Sequence, residues 1–157
     1  MHEGMELMDV FDRIEREIEI DAPAARVWKL VSEPGWYVND EQIVPHRIER
    51  RGDLDVVHDP IHGTFAFVTV ELDEPRYAAF RWLTDADAPG GPSTLVEFRI
   101  EETSPTSVVL TVVESGFASL PESAQARRSR YDDHVEGWRI EMALAKRHAE
   151  EAVDAVG

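Results

Sequence analysis

Apolar residues recur at Tyr131, Val135, Trp138, Met142, Ala145, Ala149 and Val153, in steps of three and four. That spacing lays one stripe along a helix. Asp132, Asp133, Glu136, Arg139, Lys146, Arg147, Glu150 and Glu151 fall largely on the opposite side. The pattern predicts a helix from Glu122 to Val153, about 40 Å long at 1.5 Å rise per residue. Ser119 stands three residues before Glu122 and reads as a capping box, with Pro121 suited to the first turn. A helix of that length must lie across something wide.

The segments before it alternate with the period of strands. Ile14, Ile18 and Ile20 share one side of Arg13–Ile20, with Glu15, Glu17 and Glu19 on the other. Arg16 sits on the apolar side. Asp21 reads as a cap, with Pro23 in the first turn of a short helix from Ala24 to Val31 that buries Val27, Trp28 and Val31. Glu33-Pro34-Gly35 breaks it, and Trp36 and Tyr37 suit a second short helical turn. Further strands are expected at Ile43–Arg50, Leu54–His58, Gly63–Leu72, Tyr77–Leu83, Thr94–Glu101 and Val108–Ser115. Both faces of Gly63–Leu72 are apolar, so periodicity cannot say which is inside. Consecutive strands joined by tight turns predict an α+β meander, a curved antiparallel sheet of about six to seven strands around one long C-terminal helix. The gap between sheet and helix is where a ligand cavity would sit.

Charge narrows the partners. The 157 residues carry a formal net charge of −16, which repels phosphate backbones and anionic lipid, so neither nucleic acid nor a membrane surface is expected. A protein partner or a homodimer is compatible with it. The absence of cysteine excludes disulfides, thiolate catalysis and thiolate metal sites. The acidic N-terminus lacks the basic region of a secretory signal. No apolar stretch approaches the ~20 residues that span a bilayer. The expected compartment is the cytoplasm. One domain is expected over residues 10–157, with a flexible lead over 1–9.

Candidate chemistry is sparse. His58-x-x-x-His62 has the spacing of two helical metal ligands, but Pro60 and Gly63 favour a turn between strands, so no metal is assigned. Arg16 and Glu114 both fall on inward faces, where they would pair with each other or reach a cavity rim. Arg127, Arg128 and Arg130 form a basic cluster that reads as solvated. Gly137 interrupts a helix at a cost of about 1 kcal/mol relative to alanine. Close packing against a strand or Phe117 is the expected compensation, and open cavity space is the alternative. No nucleophile–base constellation and no phosphate-cradling glycine loop stand in the sequence, so no catalytic residue and no cofactor are assigned.

Four stretches carry a family resemblance. They are Ile18-Glu19-Ile20-Asp21-Ala22-Pro23 with Val27-Trp28; Glu74-Pro75 with Phe80-Arg81-Trp82; Glu114-Ser115-Gly116-Phe117; and His134 with Gly137-Trp138 and Leu144. In this order the chain resembles the START-like, Bet v 1-type (SRPBCC) superfamily. Within that superfamily it is most similar to the family named for the C-terminal domain of the activator of Hsp90 ATPase. The resemblance implies a helix-grip fold with two short helices after the first strand. Where members carry a glycine pair, Arg50-Arg51-Gly52-Asp53 has one glycine, so cavity positions there do not transfer. Hsp90 stimulation is not inherited, because only one domain matches. The implied function is binding of a hydrophobic or aromatic small molecule between sheet and helix. The expected site residues are Trp28, Phe80, Trp82, Phe98, Glu114, Tyr131, His134, Trp138 and Met142. The alternatives are a polyketide cyclase/dehydrase-like enzyme, moving protons through His134, Tyr131 or Glu114, and a co-chaperone-like interaction module with a filled core.

Overall fold

The computed structural model describes residues 12–39 and 42–156, with side chains as far as 151. The lead expected over residues 1–9 lies outside them. The elements in chain order are β1 (Arg13–Ile20), α1 (Ala24–Val31), β2 (Arg47–Arg51), β3 (Leu54–Asp59), β4 (Gly63–Asp73), β5 (Tyr77–Leu83), β6 (Ser93–Ser104), β7 (Ser107–Ser115), a single 3-10 turn (Phe117–Ser119) and α2 (Ala124–Val156). One antiparallel sheet runs in the order β1-β7-β6-β5-β4-β3-β2. It is a meander from β2 to β7, closed at its far edge by β1, which pairs Ile18 with Leu110 and Ile20 with Val108.

The long helix lies along β1 and is pinned to it at two places. The Tyr131 hydroxyl donates to the Arg13 carbonyl at 3.1 Å. Nineteen residues on, the Asp21 amide donates to Glu150 at 2.9 Å, and Lys146 Nζ donates to the Glu19 carbonyl at 3.0 Å. The two spans agree: roughly 26 Å of strand from residue 13 to 21 against roughly 28 Å of helix from 131 to 150. Between the pins, Trp138, Met142, Ala145 and Ala149 are buried as the stripe required, and Tyr131 and Val135 pack against them.

Local starts and stops differ from the sequence reading. The α2 cap is Ser123, whose Oγ accepts the Ala126 amide at 3.1 Å, while Ser119 Oγ donates to the Gly116 carbonyl. Asp21 does not cap α1; that helix begins at Pro23, whose carbonyl accepts the Arg26 amide. The second short helix expected after β1 is instead a run of turns through Glu33–Tyr37, with Gly35 at φ 71°. Ile43–Pro45 precedes β2 instead of opening it.

The ambiguous β4 has apolar side chains on both faces because both are covered. Phe65 and Phe67 join the main core under α2. Ala66 and Val68 join Leu54, Val56 and Leu83 in a second cluster on the other face, packed by Ala86 of the 84–92 loop. No helix among the described residues is long and apolar enough to cross a membrane.

Candidate functional site

The space between sheet and helix is mostly filled. Phe80, Phe98 and Met142 are buried in the main core, and Trp28 packs there from α1. Tyr37, from the turns after α1, inserts among them. Its ring lies 4.8 Å from that of Trp138, 5.1 Å from Trp82, 5.7 Å from Phe67 and 5.9 Å from Phe98. These rings occupy the hollow a large ligand would need.

What stays open is at the mouth, where Trp82 and His134 line two adjoining clefts. One, of about 180 Å³, adds Phe65, Thr84, Thr94 and Arg130. The other, of about 110 Å³, adds Tyr37, Gly137, Trp138 and Glu141. A larger groove of about 730 Å³ lies at the opposite end of the sheet, around Asp73, Arg76, Arg99 and Glu101. Those charged strand ends make it a solvated surface, outside the helix–sheet interior. Another, of about 470 Å³, lies around Arg26, Glu33 and Pro45.

Gly137 sits at this mouth, and a Cβ built there meets nothing within 4 Å. The expected close packing is therefore absent, and the missing side chain leaves open space beside Trp82. Gly137→Ala should consequently stabilise the protein by about 0.5–1 kcal/mol through helix propensity alone, read as a higher urea midpoint. The same methyl should weaken any ligand seated in the cleft.

Behind the mouth lies a polar network. Glu114, at the end of β7, is 0% exposed. One of its oxygens accepts the Thr94 hydroxyl at 2.6 Å. The other accepts the Trp138 indole N–H at 2.8 Å and lies 2.8 Å from His134 Nδ1. Two groups that can only donate, or that rotate to do so, thus surround a carboxylate, and His134 completes the set as a third donor. The His134 ring is held between Trp82, stacked at 4.9 Å, and Phe117, edge-on at 5.4 Å. Nδ1 is committed to Glu114, and the His134 side chain lines both clefts.

Two groups beside it are perturbed by burial. The Tyr37 phenol is pushed well above its ordinary range, first by desolvation and then by the Glu114 charge, and its hydroxyl has no partner among the described residues. Glu141 is pushed up to about 7 by desolvation, against a 2.6 Å hydrogen bond from Asn39 Nδ2 that favours the ionised form.

The expected site residues therefore divide. Trp82, His134 and Trp138 line the clefts, with Glu114 immediately behind. Trp28, Phe80, Phe98 and Met142 are core, and Tyr131 packs on Phe117 at 5.4 Å. Arg16 does not pair with Glu114: it is exposed, and its charge contributes to lowering the Glu136 pKa, after the larger effect of Arg139. His58 bonds Glu49 at 3.2 Å, and the His62 amide donates to Asp59 across the hairpin turn. Arg130 pairs with Glu122 and Arg128 with Asp132, while Arg127 donates to the Leu120 and Glu122 carbonyls. Tyr37 and Asn39 carried no signal in the sequence. Glu141 did: three residues after Trp138, it is an acid adjoining the apolar stripe.

At the level of sequence, no family model matches the chain and no curated protein matches it. Solved structures do. The Zhui aromatase/cyclase from a Streptomyces species superposes with a TM-score of 0.62 at 21% identity, over 92% of this chain and 97% of that one. The Aha1 dimer from Colwellia psychrerythraea gives 0.60 at 16%, over 88% and 96%. A START superfamily protein from Mycobacterium smegmatis gives 0.59 at 17%, over 90% and 99%. The chain has the START-like helix-grip fold. Side chains fill the grip over much of its length, and Trp82, His134 and Gly137 line small clefts at its mouth.

Proposed function

We propose that this START-like domain binds a small, flat aromatic molecule at the mouth of the grip, wedged beside Trp82 and His134 over Gly137. The observation that carries the reading is the open space at Gly137, in a cleft that Trp82 and Trp138 also line. The larger cleft, about 180 Å³, suits one aromatic ring, since a dry apolar cavity of about 150 Å³ accommodates benzene, and the adjoining cleft of about 110 Å³ gives room for a second, fused ring to reach into. Tyr37, filling the centre, argues against a long lipid or an extended polyketide chain. Trp82 and Phe65 supply apolar walls, while His134, Glu141 and Arg130 supply the few polar groups that orient a ligand.

The test is a thermal-shift and tryptophan-fluorescence screen of indole, naphthol, quinoline and flavone scaffolds against fatty acids. A bicyclic ligand at 100 times its Kd should add about 2.7 kcal/mol and raise Tm by about 5–10 °C. Trp82→Ala should abolish that shift. If only fatty acids stabilise the protein, or if the shift survives in Trp82→Ala, the mouth is not the site.

A further inference from the structure

We propose that the groove of about 470 Å³ between α1, the Ile43–Pro45 segment and the C-terminal part of α2 binds small organic carboxylates with an apolar body, and that Arg26 holds the carboxylate. This site is separate from the mouth at Trp82, and neither reading depends on the other.

The first observation is a charged group without a partner. Arg26 lines the groove, and its Nη1 is buried with no hydrogen-bond partner among the described residues. A guanidinium does not shed its proton, so burial there leaves a cationic donor unpaired, which is costly. Arg26 as a whole is only part-buried. No bond anchors its head, so the guanidinium can swing into the groove without breaking one. A carboxylate is the group that repairs the deficit, because its two oxygens match the guanidinium fork in charge-assisted hydrogen bonds.

The second observation is the sign of the surroundings. Lys29 lies on the same face of α1, three residues on, and His148 of α2 lines the same groove. Neither side chain has an ion pair or hydrogen bond among the described residues. Glu33 is the acid among the described lining residues. Burial raises its carboxyl above the ordinary range, an effect the His46 charge opposes, so it takes up a proton more readily than an exposed glutamate when an anion arrives. On a chain of net charge −16 the groove is a local reversal of sign. At physiological ionic strength the Debye length is about 8 Å, so more distant surface acids are screened and the groove's own cations dominate.

The third observation is the wall. Leu30 is buried, Ile43 packs on the main core, and Val44 lies beside them along the groove. The volume falls in the range of about 300–1,000 Å³ that small-molecule pockets occupy. An inorganic anion would use the cations and leave this wall wet. A neutral hydrocarbon would cover the wall and leave Arg26 unpaired. A carboxylate carrying a hydrocarbon body does both.

3-Cyclohexylpropionate is the probe, being neither flat nor a straight-chain fatty acid. Its binding to the full chain is measured by calorimetry, beside 3-cyclohexylpropanol, which has the body without the charge, and sulfate, which has the charge without the body. The acid should bind at least tenfold more tightly than either. Arg26→Gln should weaken it at least tenfold and Lys29→Gln severalfold, whereas Glu33→Gln should tighten it severalfold. Arg99→Gln, which removes a cation at the opposite end of the sheet, should leave it unchanged. In the wild type the ring-proton NMR signals of His148 should shift on saturation with the acid and those of His134 should not, a readout that needs no variant to fold. Equal affinity for acid and alcohol, sulfate as tight as the acid, no binding of the acid, or wild-type affinity in Arg26→Gln would overturn the site. Shifts at His134 with none at His148 would place the acid at the mouth and overturn it as well. Failure of the flat aromatic scaffolds to bind, with the acid still bound as expected, would remove the mouth and leave this site standing.

Discussion

Glu114→Ala should destabilise the protein by about 3–5 kcal/mol. The carboxylate is 0% exposed and satisfies Thr94, Trp138 and His134 at once. Truncation strands the Thr94 hydroxyl, itself only 2% exposed, and the Trp138 N–H in the core. An unsatisfied buried donor costs about 1–3 kcal/mol. The vacated volume adds a cavity penalty. Glu114→Gln should cost clearly less. Its amide oxygen can still accept Trp138 and His134, and its amide N–H can donate to Thr94 Oγ, which rotates to accept. Urea unfolding of the two variants, compared at a common m-value, measures the difference. If alanine and glutamine cost the same, the three hydrogen bonds are not what holds this residue inside.

The second large effect depends on pH. Burial raises the Glu141 carboxyl from 4.5 to about 7. Between those values the native chain holds a proton that the unfolded chain has released. Stability linked to Glu141 is therefore fully present below pH 4.5 and is lost as pH rises through about 7. The whole gap corresponds to about 3 kcal/mol, and partial access of solvent to the carboxyl reduces the expected loss to about 1–2 kcal/mol. Glu141→Gln carries no charge to bury and can still accept Asn39. It should match the wild type at low pH and exceed it by about 1–2 kcal/mol at pH 8. Urea midpoints of both proteins from pH 5 to 8 should show a difference that widens and then levels. A constant difference would mean that Glu141 titrates normally in the folded protein. The stored cost has a place in the proposed site, since Glu141 lines the same cleft as Tyr37 and Gly137. Ligand groups that hydrogen-bond a neutral carboxyl should bind more tightly below pH 7.

How far the sequence reached can be judged residue by residue. Trp138, Met142, Ala145 and Ala149 followed from spacing alone, because a helix repeats every 3.6 residues wherever it lies. The strand alternation likewise placed Glu114 inward. The same rule placed Arg16 inward and failed, because β1 is the edge strand and a long cationic stem there can reach water past the helix. Gly137 showed its local cost in the sequence but not what lay opposite it.

Periodicity, turn residues and charge were enough to specify the strands, the first short helix, the long helix and their order, since each of these depends on neighbours within a few positions, whereas closure of the sheet pairs Ile18 with Leu110. They were also enough to mark His134, Trp82 and Glu114 as residues worth following. Whether the grip was hollow could not be read that way. It depended on Tyr37, sent into the centre by a turn-rich connection, and on contacts between residues about a hundred positions apart, such as Asn39 with Glu141. Packing is a three-dimensional sum over such distant partners, so only the folded chain could decide that the open space is a small mouth and not a deep hollow.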